Sequence, residues 1–103
     1  MHELYILKEV AEQQLLPAGY VLDVEENHPD DFGSYFVVYT RGTHEIRFVW
    51  DGKDGWGFLE HREKGSDAWE PIGSPVAESN AGAMRESATL EWPEALAPIL
   101  AEF

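Results

Sequence analysis

The sequence predicts a two-layer α+β fold: an antiparallel meander sheet of about four strands, covered on one face by an N-terminal helix and a short C-terminal helix. Three observations predict it. Apolar residues recur with helical spacing near the N-terminus, alternate with polar ones from residue 20 to residue 60, and cluster again after Pro93. The chain of 103 residues has the size of one domain and shows no repeat or linker, so we expect a single domain over residues 1–103.

The first helix is predicted from its apolar face. On a helical wheel, six apolar residues occupy about half of the circumference, whereas Glu9, Glu12 and Gln13 fall on the other side. The six are Leu4, Ile6, Leu7, Val10, Ala11 and Leu15. Pro-Ala-Gly at 17–19 then supplies residues that end helices, so we expect the helix to stop there.

Alternation of apolar and polar residues predicts the strands. Tyr20, Leu22 and Val24 are expected on the buried face of the first strand. The segments SYFVVYT and HEIRFVW follow, and a two-residue turn at Arg41-Gly42 sets the pairing of their apolar face. The predicted pairs are Tyr35 with Phe48, Val37 with Ile46, and Tyr39 with His44. The other face is expected to be largely solvent-facing and acidic at one edge, and it carries Asp23, Glu25, Glu45, Arg47 and His61.

The segment DGKDG at 51–55 is predicted to be a hairpin loop. A calcium loop of the EF-hand type needs oxygen ligands where this segment has Lys53 and Gly55, so a cation site is disfavoured. A hairpin loop instead continues the apolar face onto a further strand. The pairs expected across it are Trp50 with Trp56, Phe48 with Phe58, and Ile46 with Glu60.

The signals after residue 61 are weaker. Residues 68–72, AWEPI, form either a short fifth strand or a segment that covers the sheet. Residues 73–88 are rich in Ser, Ala and Gly without a period, and we expect them to form a surface loop or a poorly ordered stretch. A short helix is predicted from Pro93, which suits a first helical turn, and Pro98 is expected to kink or divide it.

The charge of the chain restricts its partners. Twenty Asp and Glu residues oppose seven Lys and Arg residues, which gives a formal net charge of −13. This charge repels nucleic acid and anionic membrane surfaces and attracts basic proteins. A net charge of about 2–8 is enough to keep a small domain soluble. The excess therefore favours a basic protein partner, with solubility alone as the alternative explanation.

Cysteine usage and the N-terminus indicate the compartment. The chain has no cysteine, which excludes disulfides, thiolate metal sites and thiol nucleophiles. The N-terminus lacks the basic region of a signal peptide, and no apolar run is long enough to span a membrane. We therefore expect a cytoplasmic protein that does not bind membranes.

No sequence motif nominates a catalytic residue, a metal ligand or a cofactor. A nucleophile elbow, a phosphate-binding loop and an HExxH pair are all absent. His28 lies close to Asp30 and Asp31, and this residue set is able to bind a divalent cation. A solvated loop rich in Asp and Pro is the simpler interpretation. A small metal-dependent enzyme built on these three residues is kept as an alternative.

The most acidic stretch, DVEENHPDD at 23–31, is the candidate site for a partner. It holds five carboxylates and no Lys or Arg. Such a cluster can mimic the phosphate spacing of a nucleic acid or neutralise a cleft lined by Lys and Arg, although a solvated loop is again the alternative. Trp69 is added as an interface anchor. The candidate partner-binding residues are Asp23, Glu25, Glu26, Asp30, Asp31 and Trp69.

A resemblance to known proteins covers roughly residues 15–60. It rests on the stretches PAGYVLDVEE and DFGSYFVVYTRGTHEIRFVWDGKDGWGFLE. In its helix, aromatic hairpins and W-D-G turn the chain resembles small bacterial α+β proteins, some of which are immunity proteins of polymorphic or contact-dependent toxin systems. The resemblance implies a non-enzymatic inhibitor that binds and blocks a cognate toxin, with no catalytic residues. A self-associating scaffold subunit is the remaining alternative.

Overall fold

The computed structural model describes residues 3–103 and contains two helices and one five-stranded sheet. The elements, in chain order, are α1 (Glu3–Leu15), β1 (Val21–His28), β2 (Ser34–Arg41), β3 (His44–Asp51), β4 (Trp56–Glu63), β5 (Glu70–Ala77) and α2 (Ala81–Glu102). The strands are antiparallel and lie side by side in chain order. Both helices contribute to one core on one face of the sheet. The predicted α+β fold is confirmed, with five strands in place of about four.

Helix α1 buries the apolar face that the sequence predicts. All six predicted residues are buried, while Glu9 and Gln13 are exposed. After the last turn, the Leu16 N–H still donates to the Glu12 carbonyl oxygen at 3.0 Å. Gly19 then adopts a φ of 93°, which residues with a side chain rarely adopt. The helix therefore ends at the Pro-Ala-Gly sequence, as expected.

Strands β2 and β3 are joined by a turn that lies one residue later than predicted. Arg41 pairs with His44, and Gly42 takes the positive φ of 60° that a two-residue hairpin turn needs at its first position. The partners consequently move by two residues, so that Val37 lies opposite Phe48. Because side chains alternate with a period of two, the predicted buried face is unchanged. Its buried residues are Tyr35, Val37, Tyr39, His44, Ile46, Phe48 and Trp50.

The pairing of β3 with β4 differs from the prediction by one residue, and this reverses the faces of β4. Asp51 pairs with Trp56, so that Trp50 lies opposite Gly57. A slip of one residue moves every side chain of a strand to the other face. Leu59 is therefore fully buried, whereas Trp56 is 39% exposed. The hairpin prediction is correct, but the predicted burial of Trp56 is wrong.

Gly57 gives the physical reason for this register. A Cβ atom at Gly57 would lie 2.6 Å from Cδ1 of Leu7 and 3.0 Å from Cε1 of Phe48. The position between α1 and the sheet thus has little room for a side chain. The other register would place the bulky Trp56 at this point, so packing favours glycine there and tryptophan on the outer face.

Residues 73–88, predicted to be a surface loop, belong largely to β5 and α2. Asn80 caps α2, because its side-chain oxygen accepts a hydrogen bond from the Ala83 N–H at 2.8 Å. The helix therefore begins at Ala81 instead of Pro93, and it continues through both prolines. Its buried residues are Met84, Ala88, Trp92 and Leu96. These buried residues form a narrow stripe, and the first half of the helix is rich in Ala, Ser and Gly. The sequence therefore shows little helical periodicity in this segment. Neither helix within residues 3–103 is long and apolar enough to cross a membrane.

Strand β1 forms one edge of the sheet, and all of its residues are exposed. A bulge shifts its pairing, so that Leu22 pairs with Tyr39 but Val24 pairs with Val38. Leu22 and Val24 consequently face opposite sides of the sheet and are 46% and 42% exposed. The predicted buried face is wrong for these two residues. Tyr20, which precedes the strand, is buried as expected.

Gly52 holds the β3–β4 loop against the turn between β1 and β2. Its N–H donates to Oγ of Ser34 at 3.1 Å, and a Cβ atom there would overlap the backbone carbonyl of Phe32. Because the neighbour is backbone, Gly52→Ala must displace one of the two loops. We expect it to lower the free energy of unfolding by about 1–3 kcal/mol, measured by urea denaturation.

Gly82→Ala is the matched control for this variant. Gly82 lies in the first turn of α2, where an added Cβ would meet only ordinary contacts, 3.5 Å from Oδ1 of Asn80. Alanine also has a higher helix propensity than glycine, so we expect Gly82→Ala to raise the free energy of unfolding by up to about 1 kcal/mol. Equal stabilities of the two variants would contradict the close approach of the two loops.

Candidate functional site

The face of the sheet opposite the helices, called here the open face, is apolar in its centre. Phe36, Val49 and Phe58 form one row across β2, β3 and β4, because each pairs directly with the next. Val38 is buried in the neighbouring row, and Trp56 is exposed on β4. The open face thus presents aromatic and aliphatic side chains on the side away from both helices.

Two ion pairs and a tryptophan complete the open face. Arg47 contacts Glu60, and Nε of Arg62 lies 3.0 Å from the Glu45 carboxylate. The ring of Trp69 lies 4.3 Å from the guanidinium of Arg47 and 4.2 Å from that of Arg62. Each arginine therefore makes an ion pair with a carboxylate and a cation–π contact with the ring of Trp69. Trp69, predicted as an interface anchor, is a packing partner of both arginines.

Two concavities lie side by side on the open face and share Asp51 and Phe58. The first has a volume of about 370 Å³ and the second about 390 Å³. The first is also lined by His28, Asp31, Phe36, Val49 and Lys53. The second is also lined by Trp56, Glu60, Pro71 and Pro75. Together they form a concave, mainly apolar surface, which suits contact with another molecule.

Two of the predicted acidic residues, Glu26 and Asp31, lie at one end of the open face. Glu26 pairs with Phe36 and so extends the apolar row, while Asp31 lines the first concavity together with His28. The His28 ring stacks on Phe36 at 6.0 Å, and its Nε2 lies 3.9 Å from the Glu26 carboxylate. This end of the open face, called here the acidic end, combines apolar surface with two carboxylates.

The other predicted acidic residues lie apart from the acidic end. The Glu25 carboxylate accepts a hydrogen bond from the Tyr35 hydroxyl at 2.5 Å and lies 3.7 Å from Nζ of Lys8, on the side of the helices. Asp23 lies at the bulge of β1, and Asp30 is exposed in the turn that follows the strand. The bulge and the alternation of β1 therefore divide the acidic stretch between different surfaces.

Two tyrosine hydroxyls donate hydrogen bonds to carboxylates on the side of the helices. The Tyr39 hydroxyl donates to Glu12 at 2.7 Å, as Tyr35 donates to Glu25. Burial, followed by these hydrogen bonds, raises the pKa of both phenols far above the ordinary value of 10.0. The phenols therefore remain protonated donors at neutral pH, and Glu12 and Glu25 have structural partners.

Phe32 lies at the tip of the turn between β1 and β2, close to the acidic end. It is 67% exposed, and its φ is 56°, which costs a bulky residue about 1–2 kcal/mol. The turn is held by two hydrogen bonds, from Asp31 N–H to the His28 carbonyl oxygen and from Ser34 N–H to the Asp31 carbonyl oxygen. An exposed aromatic ring in a strained turn is a candidate contact residue, and its place in a polar turn gives no periodic signal in the sequence.

The alternative of a metal-dependent enzyme gains no support from this geometry. His28 and Asp31 line the same concavity, but Asp30 does not contribute to it. Across residues 3–103, no three His, Asp or Glu side chains are grouped so that they could hold a metal ion. The predicted set of His28, Asp30 and Asp31 thus does not form a ligand cluster in the described part of the chain.

A second polar cluster lies on the helix-covered side, where α2 ends. The Tyr20 hydroxyl is 2.6 Å from Nδ1 of His44, and Nε2 of His44 is 2.9 Å from Nδ1 of His61. The His44 ring also stacks on Phe103, with 4.1 Å between centroids. A neutral imidazole satisfies both polar contacts, since one nitrogen donates and the other accepts. His61 was predicted on the solvent-facing side, and the register of β4 brings it here.

His44 is expected to make the stability depend on pH. Burial, followed by the neighbouring His61, lowers its pKa from 6.5; Arg41 acts in the same direction, while Glu63 and Glu102 oppose it. The folded state therefore binds fewer protons at His44 than the unfolded state does. The contribution of neutral His44 to the free energy of unfolding is therefore complete above pH 6.5. It is lost as the pH falls through that value towards the pKa of His44 in the folded state.

Urea denaturation across this pH range is the measurement. His44→Gln is expected to flatten the loss of stability on acidification relative to the wild type. His28→Gln, which changes an exposed histidine on β1 outside this cluster, is the matched control. A wild-type slope in His44→Gln would show that the pH dependence arises elsewhere.

The sequence of β2 contains a pattern that predicts apolar residues on the open face. In SYFVVYT, both alternating sets of residues are apolar: Tyr35, Val37 and Tyr39 on one side, Phe36 and Val38 on the other. Strands that read as continuous apolar runs usually have both faces covered. Here the helices cover only one of them. On the other face Val38 is buried, but Phe36 is only half-buried and lines the first concavity, so Phe36 marks a surface able to bind another molecule.

The candidate surface is thus the apolar open face with its acidic end. Comparisons with known proteins do not extend this description: no family model, no curated protein and no solved structure matches the chain.

Proposed function

We propose that this protein is a non-enzymatic, cytoplasmic binding protein that inhibits a basic protein partner such as a toxin. One observation carries the proposal. The apolar open face lies beside Glu26 and Asp31 at its acidic end, on a chain with a net charge of −13. The combination of apolar contact surface and negative charge suits a basic protein better than a small molecule or a nucleic acid.

The apolar part of the open face supports stable association. Burial of apolar surface is the main driving force for contact between proteins, and aromatic residues are the usual anchors. Trp56 and Phe32 are exposed and lie at the concavities or close to them. The arginines Arg47 and Arg62 already contact carboxylates, so they can enter an interface without becoming unpaired buried charges.

The acidic charge supports rapid and selective association. A strongly negative protein attracts a basic surface over a distance and accelerates encounter, and salt weakens this effect. An inhibitor that covers the cleft of a basic enzyme needs complementary charge more than it needs chemistry of its own. The resemblance of residues 15–60 to bacterial immunity proteins is consistent with this class of function.

The test is capture followed by reconstitution. The purified chain is immobilised at low salt, exposed to an extract of its source cells, and the captured protein is then purified separately. We expect a basic partner whose affinity falls steeply as salt rises and whose own activity is lost on binding. A partner that is acidic, or an affinity that does not respond to salt, would overturn the proposal.

Substitutions on the open face connect the binding to this surface. Trp56→Ser removes the exposed aromatic ring of β4, and Leu90→Ser removes an exposed apolar residue of α2 as a matched control. We expect only Trp56→Ser to weaken the reconstituted complex, by about tenfold or more. Equal affinities of the two variants would place the contact elsewhere.

Self-association is the alternative that the same apolar surface supports. Two copies joined through the open face would bury its aromatic residues, but each copy would bring a net charge of −13. Light scattering over a range of protein concentrations, at low and high salt, distinguishes the two functions. A dimer at low salt that Trp56→Ser dissociates would favour the scaffold over the inhibitor.

A further inference from the structure

The two edges of the sheet are built differently. The β5 edge contains Pro71 and Pro75, which lack a backbone N–H, and Gly73 with a φ of 66°. Helix α2 packs against this strand, since a Cβ atom at Gly73 would lie 3.0 Å from Cβ of Ala95. The β5 edge is thus poorly suited to pair with a further strand.

The β1 edge has the opposite character. All eight residues of β1 are exposed, and the strand contains no proline. Within residues 3–103, β2 is the only strand that pairs with it. A strand paired on one side presents unpaired backbone N–H and C=O groups on the other, which is a template for another strand.

The side chains of β1 decide which strand can use this template. Asp23, Glu25 and Glu26 make the strand acidic, and it contains no Lys or Arg. Pairing of β1 with β1 of a second copy would bring these carboxylates close to their counterparts, which is unfavourable for like charges across strands. The edge therefore disfavours a second copy of the chain and favours a basic strand.

We propose that the outer edge of β1 accepts an extended basic segment of the protein partner, which joins the sheet as a sixth strand. This inference rests on the proposed function, because it names the binding mode for the basic partner. Main-chain hydrogen bonds would provide the affinity, and pairing of side chains across the strands would provide the selectivity.

The alternation of β1 also predicts the pattern of the partner segment. Glu25 pairs with Val37 on the helix side of the sheet, and Glu26 pairs with Phe36 on the open face. Consecutive residues of an added strand face opposite sides in the same way. Two adjacent Lys or Arg residues would therefore place one cation beside each carboxylate. Glu25 keeps its contacts with Tyr35 and Lys8, and its side chain is exposed enough to accept a further cation. Val24, on the open face, favours an apolar β-branched neighbour.

The probe is a short amidated peptide of Val and Thr with two adjacent lysines at its centre. Two further versions carry N-methyl groups on one or the other alternating set of backbone amides, which removes donors but keeps the charge. We expect the plain peptide to bind at low salt. One N-methylated version should bind about tenfold or more weakly, because several main-chain hydrogen bonds are lost. Fluorescence anisotropy measures the affinities.

Hydrogen exchange and two matched variants locate the peptide. Binding is expected to slow amide exchange in β1 and to leave the β5 edge unchanged. Glu26→Gln should weaken binding by about two- to fivefold, while Glu91→Gln, which makes the same change of charge on an exposed residue of α2, should not.

The outcomes separate this inference from the proposed function. Equal binding of the plain peptide and both N-methylated versions would overturn pairing at the edge, although basic segments would still be recognised by charge. If none of the three peptides binds, but a basic partner is captured with salt-dependent affinity, pairing at the edge is also overturned. The proposed function then stands. If the basic partner itself is not captured, the proposed function fails independently of the peptides. Slowed exchange at β5 in place of β1 would also contradict the assignment.

Discussion

Trp92→Ala is expected to lower the free energy of unfolding by about 3–5 kcal/mol. Trp92 lies on α2, is fully buried, and packs edge-on against Phe48 of β3 with 6.0 Å between ring centroids. Truncation would leave a cavity between the longer helix and the sheet. Domains are usually stable by only about 5–15 kcal/mol, so this single change would remove a large part of the stability. Urea denaturation followed by circular dichroism is the measurement.

Trp92→Phe separates packing from the polar part of this side chain. The Nε1 group of Trp92 is buried and has no hydrogen-bond partner among the described residues. An unsatisfied buried donor is unfavourable by about 1–3 kcal/mol, and phenylalanine removes it while keeping an aromatic ring. We therefore expect Trp92→Phe to remain within about 1.5 kcal/mol of the wild type. A loss as large as that of Trp92→Ala would show that the indole N–H has a stabilising contact.

Charge reversal at the acidic end is expected to weaken binding of the reconstituted basic partner by about 10–100-fold. The double variant Glu26→Lys with Asp31→Lys replaces two carboxylates by cations beside the first concavity, so that attraction becomes repulsion. The effect should be largest on the association rate and should diminish as salt rises. Surface plasmon resonance at several salt concentrations measures both.

A matched control distinguishes local from global charge. Glu91→Lys with Glu94→Lys alters the net charge by the same amount on exposed residues of α2. We expect this variant to lose far less affinity than the variant at the acidic end. Similar losses in both would mean that the partner responds to the total charge and does not contact the acidic end.

The face of α1 was predictable because its signal is local. Residues three and four apart lie on the same side of a helix, and all six predicted residues are buried. The same reasoning failed for α2, where buried side chains recur only at every fourth position and two prolines interrupt the pattern. The cap at Asn80 is a local signal for the start of this helix, but it lies within a segment rich in small residues.

The faces of β1 and β4 were not predictable, because long-range contacts decide them. The register of β4 depends on the fit of Gly57 beneath Leu7, a residue distant in sequence. The bulge of β1 depends on its pairing with β2, and it changes which side Val24 faces. Each shift of one residue exchanges the two faces of a strand. For this reason the open face carries Trp56, whereas His61 lies on the side of the helices beside His44.

Composition and local periodicity thus establish an acidic α+β chain with aromatic hairpins and an amphipathic N-terminal helix, since these properties follow from residues close together in the sequence. The arrangement of the candidate site depends on the packed structure. The bulge of β1 turns Glu26 to the open face and Glu25 to the helix side, the ring of Trp69 lies against the guanidinium groups of two arginines, and the two helices cover one face of the sheet and leave the other exposed. The physical reason is that a strand exposes two faces and two edges, and only its neighbours in space determine which of them remain free.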